Sequence, residues 1–333
     1  MQRLIWIGNP YFATLMEDLG WTVHVRPMDS FTWRMLSWEE LVDDAGFEPD
    51  AVVYGDASLA PMLRGVADFP CLTVFHCVDS HLHQWYRSFS QAFDLCTVAM
   101  RDHLPEFVGP RLGPDQVRWM PLYSRDTDRP LQRDREWNVV FCGKVDPELT
   151  PARHDFLAKL GRVVPKVLLA RGDYREFFAM GRVAVNVAEH NDLNFRVFEA
   201  LGCRACLVTP RVGHGQGELF RDGVDLLTYE PGDLESAVEA IGRVLADPRA
   251  AQRMASSGYR AVNAGHKARH RAEELDAWMR AAPAAELVAA RREQARLIHF
   301  AHLEMLYLHW GGNSPRHDVK RYCLEAARQW RAA

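Results

Sequence analysis

Residues 186–211 read NVAEHNDLNFRVFEALGCRACLVTPR, and the fold follows from how this stretch is parsed. It divides into a strand end, a loop, a short helix and a second strand. Leu193, Val197, Ala200 and Leu201 recur at helical spacing and fall on one inward face. Asn191 or Asp192 is placed to cap the helix start, and Gly202 stands where a left-handed C-terminal cap is usual. RACLVT then reads as a short buried strand. Beside the apolar stripe, Arg196 and Glu199 lie three residues apart and are therefore neighbours on the helix surface. A carboxylate can accept hydrogen bonds from both hydroxyls of a ribose, and a guanidinium can hold a phosphate through two parallel bonds. The same spacing also suits an ion pair on a solvated face, which is common and contributes little. Spacing leaves both readings open.

Outward from this stretch, the chain alternates apolar runs with helix-like segments. In the first third, LIWIG, WTVHV, AVVYG, CLTVF and LCTVA read as strands. FATLMEDLG, WEELVDDAG and SLAPMLRGV read as the helices between them. Strands that are apolar throughout, not at every second residue, indicate a parallel sheet covered on both faces. From Pro121 to Glu136 the apolar period is lost among charges and prolines, as in an interdomain linker. NVVFC, KVLLA, RVAVNVA, RACLVT and LLTYE then restart the alternation. The expected organisation is an α/β chain of two Rossmann-like doubly wound domains facing across a cleft. Residues 1–125 form the first domain, 126–137 the linker, 138–283 the second domain, and 284–333 a helical tail. In the tail, Leu297, Phe300, His302, Leu303 and Leu306 suggest one packed face, which could lie on the first domain or serve a protein partner or dimer.

Composition narrows the function classes. The 333 residues carry 48% hydrophobic and 25% charged side chains, an ordinary globular mix, and a net charge of −4 gives no basic footprint for nucleic acid. No apolar run is long enough to span a membrane. The opening MQRLIWIGNP lacks a secretory pattern, so a cytoplasmic protein is expected. Cys203-x2-Cys206 has the spacing of a metal or redox pair, but no second pair completes a zinc site, and packing is the favoured reading.

Ligands of doubly wound sheets bind beyond the carboxyl ends of the strands. In the first domain that directs attention to the loops Gly8-Asn9-Pro10, Gly55-Asp56 and His76 to His83, the last lying in the polar run FHCVDSHLHQWY, residues 75–86. Its His76, Asp79 and His81 are candidates for a general base, or the histidines are structural, capping helices or satisfying buried groups, and no metal-ligand pattern is present. In the second domain, Gly213, Gly215 and Gly217 alternate at the mouth of a helix, where backbone amides can approach an anion.

The run DLNFRVFEALGCRACLVT, followed by GELFRDGVDLLTYEPGDLESAVEAIGRVLADPRAAQRMASSGYRAV and HKARHRAEEL, resembles the CgeB-like spore-protein glycosyltransferases. These belong to the GT-B superfamily of sugar-nucleotide enzymes. The resemblance is best from Val139 to Leu275 and does not explain the tail. It implies a GT-B architecture and metal-independent transfer of a sugar from a nucleoside-diphosphate donor to an acceptor it does not identify. No cofactor other than that donor substrate is implied. Carried over residue by residue, Glu199 binds the ribose hydroxyls, Arg196 sits near the diphosphate, and Gly213 to Gly217 close around it. Lys144 is a basic phosphate contact, Arg153 a weaker one, and Asn194 occupies the family's asparagine position. The family's His-Thr-Tyr is His266-Lys267-Ala268 here. Glu189 lies ten residues before Glu199, so the usual two-glutamate spacing is not reproduced, and Asn191 takes the first position. A sugar-nucleotide epimerase and a catalytically silent binding protein acting through its tail are the alternative readings.

Overall fold

The computed structural model describes residues 2–330. Residues 1 and 331–333, the expected ends of the first domain and the tail, lie outside that range. The chain forms two compact units, Met1–Met120 with Ala272–Ala333, and Pro121–Arg271.

The first unit is built on six parallel strands: β1 (Gln2–Gly8), β2 (Trp21–Pro27), β3 (Ala51–Gly55), β4 (Leu72–Cys77), β5 (Leu95–Val98) and β6 (Val117–Trp119). Their order is β2-β1-β3-β4-β5-β6. Every residue of β3, β4 and β5 is buried, as apolar runs covered on both faces require. The helix Trp38–Ala45 starts at a capping box, in which the Glu40 amide donates to Ser37 and the Ser37 amide to Glu40. SLAPMLRGV, expected as a helix, is not one. Leu36 and Leu63 form a parallel bridge there, with the Leu36 amide donating to Met62 O and the Arg64 amide to Leu36 O. Pro61 and this pairing take the backbone out of helical register, and only the turn Val66–Asp68 follows.

The tail is part of this unit. It runs through helices Ala284–Glu293, Ala295–Ile298, Glu304–Asn313 and His317–Ala327, with a π-helical turn at His299–Leu303. Arg291 is fully buried. Its guanidinium donates to Cys71 O at 2.9 Å, Phe69 O and Thr73 Oγ1, and pairs with Asp94 at 3.0 Å. Tyr307 donates to Leu63 O at 3.1 Å. The buried face is Ala295, Ile298, His299, Leu303, Leu306 and Tyr307, whereas Leu297 and Phe300 are exposed. The extra residue of the π turn rotates the helix away from the face that a regular 3.6-residue period predicts.

The second unit holds β7 (Trp137–Cys142), β8 (Val167–Ala170), β9 (Gly181–Val185), β10 (Leu207–Pro210) and β11 (Leu227–Tyr229). All pair in parallel, in the order β11-β10-β9-β7-β8. The stretch expected as a linker is anchored in this unit at one end. Ser124 and Lys267 form a bridge, and the buried Lys267 ammonium donates to Ser124 Oγ, Arg125 O and Asp128 O at 3.2, 3.1 and 2.8 Å.

The organising helix spans Phe195–Gly202, with Leu193, Val197, Ala200 and Leu201 buried. Asn194, not Asn191 or Asp192, is the N-cap residue, and its side chain makes no capping bond. Gly202 is not a left-handed cap either. The left-handed residue is Arg204, at φ 58°. Gly202 serves close approach instead, since a Cβ there would lie 1.9 Å from Ser124 Oγ. The seven cysteines are free and buried, and Cys206 packs 3.9 Å from Met254 Sδ.

Candidate functional site

In the second unit, parallel pairing brings the carboxyl ends of β7, β9, β10 and β11 to one edge. Asn186 follows β9, is buried, and donates from its side-chain amide to Thr209 Oγ1 at 3.0 Å. Its Oδ1 accepts from Arg196 Nη1 at 2.7 Å, while Arg196 Nε donates to Cys142 O at 2.7 Å. The guanidinium also lies 4.4 Å over the Phe141 ring. It is thus fixed by two neutral oxygens and an aromatic face, and not by a carboxylate. Gly143 has no side chain because one would strike it: a Cβ there would be 2.3 Å from Arg196 Nη2.

Arg153 reaches the same ring, 5.9 Å from its centroid, and donates to Val187 O and Lys144 O. Two cations therefore flank Phe141. Burial, and then the charge of Arg153, lower the Arg196 pKa to about 10, which leaves it charged at neutral pH. Arg153, the weaker candidate in the sequence, is as well placed as Lys144. Lys144 is half exposed, its ammonium 3.9 Å from Asp146.

Arg196 and Glu199 do not form the surface ion pair that their spacing allowed. Among the described residues, no hydrogen bond or ion pair engages the Glu199 carboxylate. Burial raises its pKa to about 7, against the lowering effect of Arg196. A half-buried acceptor without an internal partner is costly unless a ligand or solvent supplies donors. Asn194 Oδ1 is likewise buried without a hydrogen bond. Glu189 is committed elsewhere: its carboxylate accepts from the amides of Ala152 and Arg153 at the start of the helix Pro151–Val163. Asn191 is exposed and left-handed at φ 58°.

Gly213, Gly215 and Gly217 follow β10. Buried Gln216 pins their loop, donating to Pro210 O and accepting from the Val212 amide, each at 3.0 Å. Gly215 adopts φ 82° at the start of the helix Gln216–Leu219, a backbone position that favours glycine. His266 and Arg271 are paired with each other. Arg271 Nε donates to Pro121 O at 2.7 Å and its Nη2 lies 2.8 Å from His266 Nδ1. Burial and the neighbouring Arg271 lower the His266 pKa to about 4.

In the first unit, the loops after β3 and β4 are organised by Asp56, which lies in the strand-end loop Gly55-Asp56 that the sequence points to without giving this carboxylate a role. Asp56 is fully buried and accepts from the amides of Ser58, Val78 and Asp79 and from the Tyr86 hydroxyl. Burial, and then the charge of Asp79, raise its pKa to about 6. Asp79 itself is half-buried and accepts from Ser58 Oγ at 2.6 Å. His76 is enclosed at 2% exposure, with Nδ1 2.7 Å from Thr97 Oγ1 and its ring edge-on to Trp6, Tyr11 and Phe12. His81 is half-buried. Asp56 was detectable only as an acidic residue ending an apolar strand, and Asn186 as its amide counterpart in the second sheet. Among the described residues, no group of three or more His, Cys, Asp or Glu side chains is placed to hold a metal, and no helix is long and apolar enough to cross a membrane.

The backbone is similar to that of several solved proteins. Sucrose-phosphate synthase from Thermosynechococcus elongatus superposes with a TM-score of 0.60 at 14% identity, over 87% of this chain and 100% of that one. HepE of Anabaena, in complex with UDP and glucose, gives 0.61 at 13% identity, over 85% and 100%. A glycosyltransferase from Rickettsia africae gives 0.56 at 7% identity, over 84% and 98%. The fold is of the GT-B type. Residues 129–277 match the family described as glycosyl transferase-like, and this GT-B segment contains Arg153, Asn186, Arg196, Glu199 and the glycine loop. No curated protein matches the sequence.

Proposed function

We propose that this GT-B chain is a metal-independent glycosyltransferase that takes its sugar from a uridine-diphosphate donor. One observation carries the reading: Arg196 is fixed by Asn186, Cys142 and Phe141 one helical turn from a half-buried Glu199 carboxylate that no donor among the described residues engages. HepE, which shares the fold, is described in complex with UDP and with UDP-glucose, and this supports uracil as the base. The order Asn194-x-Arg196-x-x-Glu199 supports a place in the CgeB-like branch.

In this reading Glu199 accepts from the ribose hydroxyls. The C–O bond between the anomeric carbon and the diphosphate breaks as an acceptor oxygen bonds to that carbon. Charge develops on the leaving phosphate, where Arg196, Arg153, Lys144 and the Gly213 to Gly217 amides supply cations and dipoles. Those groups suffice without a metal, and the donor sugar nucleotide is the sole small molecule required besides the acceptor.

If the reaction inverts, a base from the first unit takes the acceptor's hydroxyl proton. Of Asp79, His76 and His81, Asp79 has the most suitable setting, a partly exposed carboxylate at the strand ends held by Ser58. Asp79→Asn is expected to lower transfer from UDP-sugar about 100-fold or more while leaving UDP affinity within about twofold. UDP release with a panel of acceptors measures the first quantity and calorimetry the second. Unchanged transfer in the variant removes Asp79 from the mechanism.

A further inference from the structure

A second basic cluster lies in the Pro121–Arg271 unit, outside the residues assigned to the donor. A groove of about 600 Å³ runs along the helix Pro248–Gly265, lined by Arg204, Arg249, Arg253 and Arg260 with Ser256 and Ser257 among its other residues. No carboxylate lines it. The helix contains no acidic residue, and Arg249 and Arg253, four apart, repel each other on one face. Here the guanidinium groups of Arg249, Arg253 and Arg260 make no hydrogen bond or ion pair among the described residues.

Arg204 is held differently, and the manner is informative. Its backbone sits at φ 58°, a conformation that an L side chain rarely adopts. Its Nε and Nη2 both donate to Ser256 Oγ, at 3.2 and 2.7 Å, and that hydroxyl in turn donates to Gln252 O at 2.7 Å. A neutral oxygen thus orients the guanidinium at the groove without cancelling its charge. Two acidic side chains that bond groove residues are already committed. Asp225 pairs with Arg221 and accepts from Ser257, and Asp247 caps the helix. Four arginines along one solvent-facing groove create a local positive potential that attracts anions.

We propose that this groove binds a small ligand bearing two or more phosphate groups. The volume is that of a small-molecule site. Guanidinium forks match phosphate oxygens through paired hydrogen bonds, and several arginines spread along a helix face favour linked phosphates over a single one.

Calorimetric titration of the full chain with inorganic triphosphate tests this, with orthophosphate as the single-phosphate control. The wild type is expected to bind triphosphate at least about tenfold more tightly than orthophosphate. The triple variant Arg249→Ser, Arg253→Ser, Arg260→Ser is expected to lose one binding site, or at least about tenfold in affinity. The single reversal Arg253→Glu, at one exposed position, is expected to weaken binding in the same direction and checks the result independently of any folding defect in the triple variant. Because the diphosphate contacts around Arg196 are intact in both variants, a second site there cannot account for the loss. Isotherms that superpose for wild type and both variants, or equal binding of orthophosphate and triphosphate, overturn the proposal.

Discussion

Arg196→Met is expected to lower sugar transfer by about 10²–10³-fold, the loss that follows when one preorganised group facing a developing oxyanion is removed. The geometry is the reason. The guanidinium is already fixed by Cys142 O, Asn186 Oδ1 and the Phe141 ring, so it requires no reorganisation as charge builds on the leaving phosphate. Although burial and Arg153 lower its pKa to about 10, it carries its charge across the neutral range. Methionine keeps much of the apolar stem over Phe141 and removes the charge. Arg196→Lys restores a charge but not the planar fork that spans two oxygens, so its activity should fall between wild type and Arg196→Met. Initial rates of UDP release, with circular dichroism to confirm folding, give the comparison. Transfer by Arg196→Met within about threefold of wild type would show that this cation does not meet the leaving group.

The largest effect on stability is expected at Asp94. Its carboxylate is fully buried, lies 3.0 Å from Arg291 and 3.2 Å from Arg111, and accepts from the Thr73 amide. Asp94→Ala leaves two cations in the interior without a counter-charge, which costs about 3–5 kcal/mol by comparison with other broken buried pairs. Arg291→Met should cost less, because Asp94 keeps Arg111 and the methionine fills part of the space. Urea unfolding followed by tryptophan fluorescence should therefore rank the midpoints wild type, Arg291→Met, Asp94→Ala from high to low. Equal midpoints for wild type and Asp94→Ala would show that the triad contributes no net stability. The triad also accounts for the tail, whose Arg291 is anchored among Phe69, Cys71, Thr73 and Asp94.

What could be read from the sequence was what depends on neighbours along the chain. Continuous apolar runs such as AVVYG and LCTVA became buried parallel strands, and the inward face of the Phe195–Gly202 helix followed from 3.6-residue spacing. The misreadings have non-local causes. SLAPMLRGV has helix-like apolar spacing, but the distant Leu36 claims its backbone. Gly202 resembles a terminal cap, yet the space there is taken by Ser124, and the left-handed position falls on Arg204. The tail's exposed face depends on a π turn that periodicity does not register. Asp94 and Arg291 are ordinary charges until folding brings them together across nearly two hundred residues of chain. At the candidate site, Arg196 and Glu199 were visible as a spaced pair. Phe141 and Asn186, which orient the arginine, were visible only as members of apolar strands. Arg153 was undervalued for the same reason: its partners Val187 and Lys144 belong to other loops.

Calorimetric titration of UDP into wild type and Glu199→Ala at pH 6 and pH 8 bears most directly on the donor site. Burial raises the Glu199 pKa to about 7, so its carboxyl gains a proton as pH falls through that value. In the free protein, an elevated folded-state pKa means that the stability associated with this group is present at low pH and is lost as pH rises through about 7. A ribose held by an ionised carboxylate reverses that preference in the complex. UDP should therefore bind wild type more tightly at pH 8 than at pH 6. In Glu199→Ala, binding should be at least about tenfold weaker, without the part of the pH dependence that comes from this carboxyl. Equal UDP affinity in wild type and Glu199→Ala at both pH values would contradict the placement of the donor nucleotide at Arg196 and Glu199.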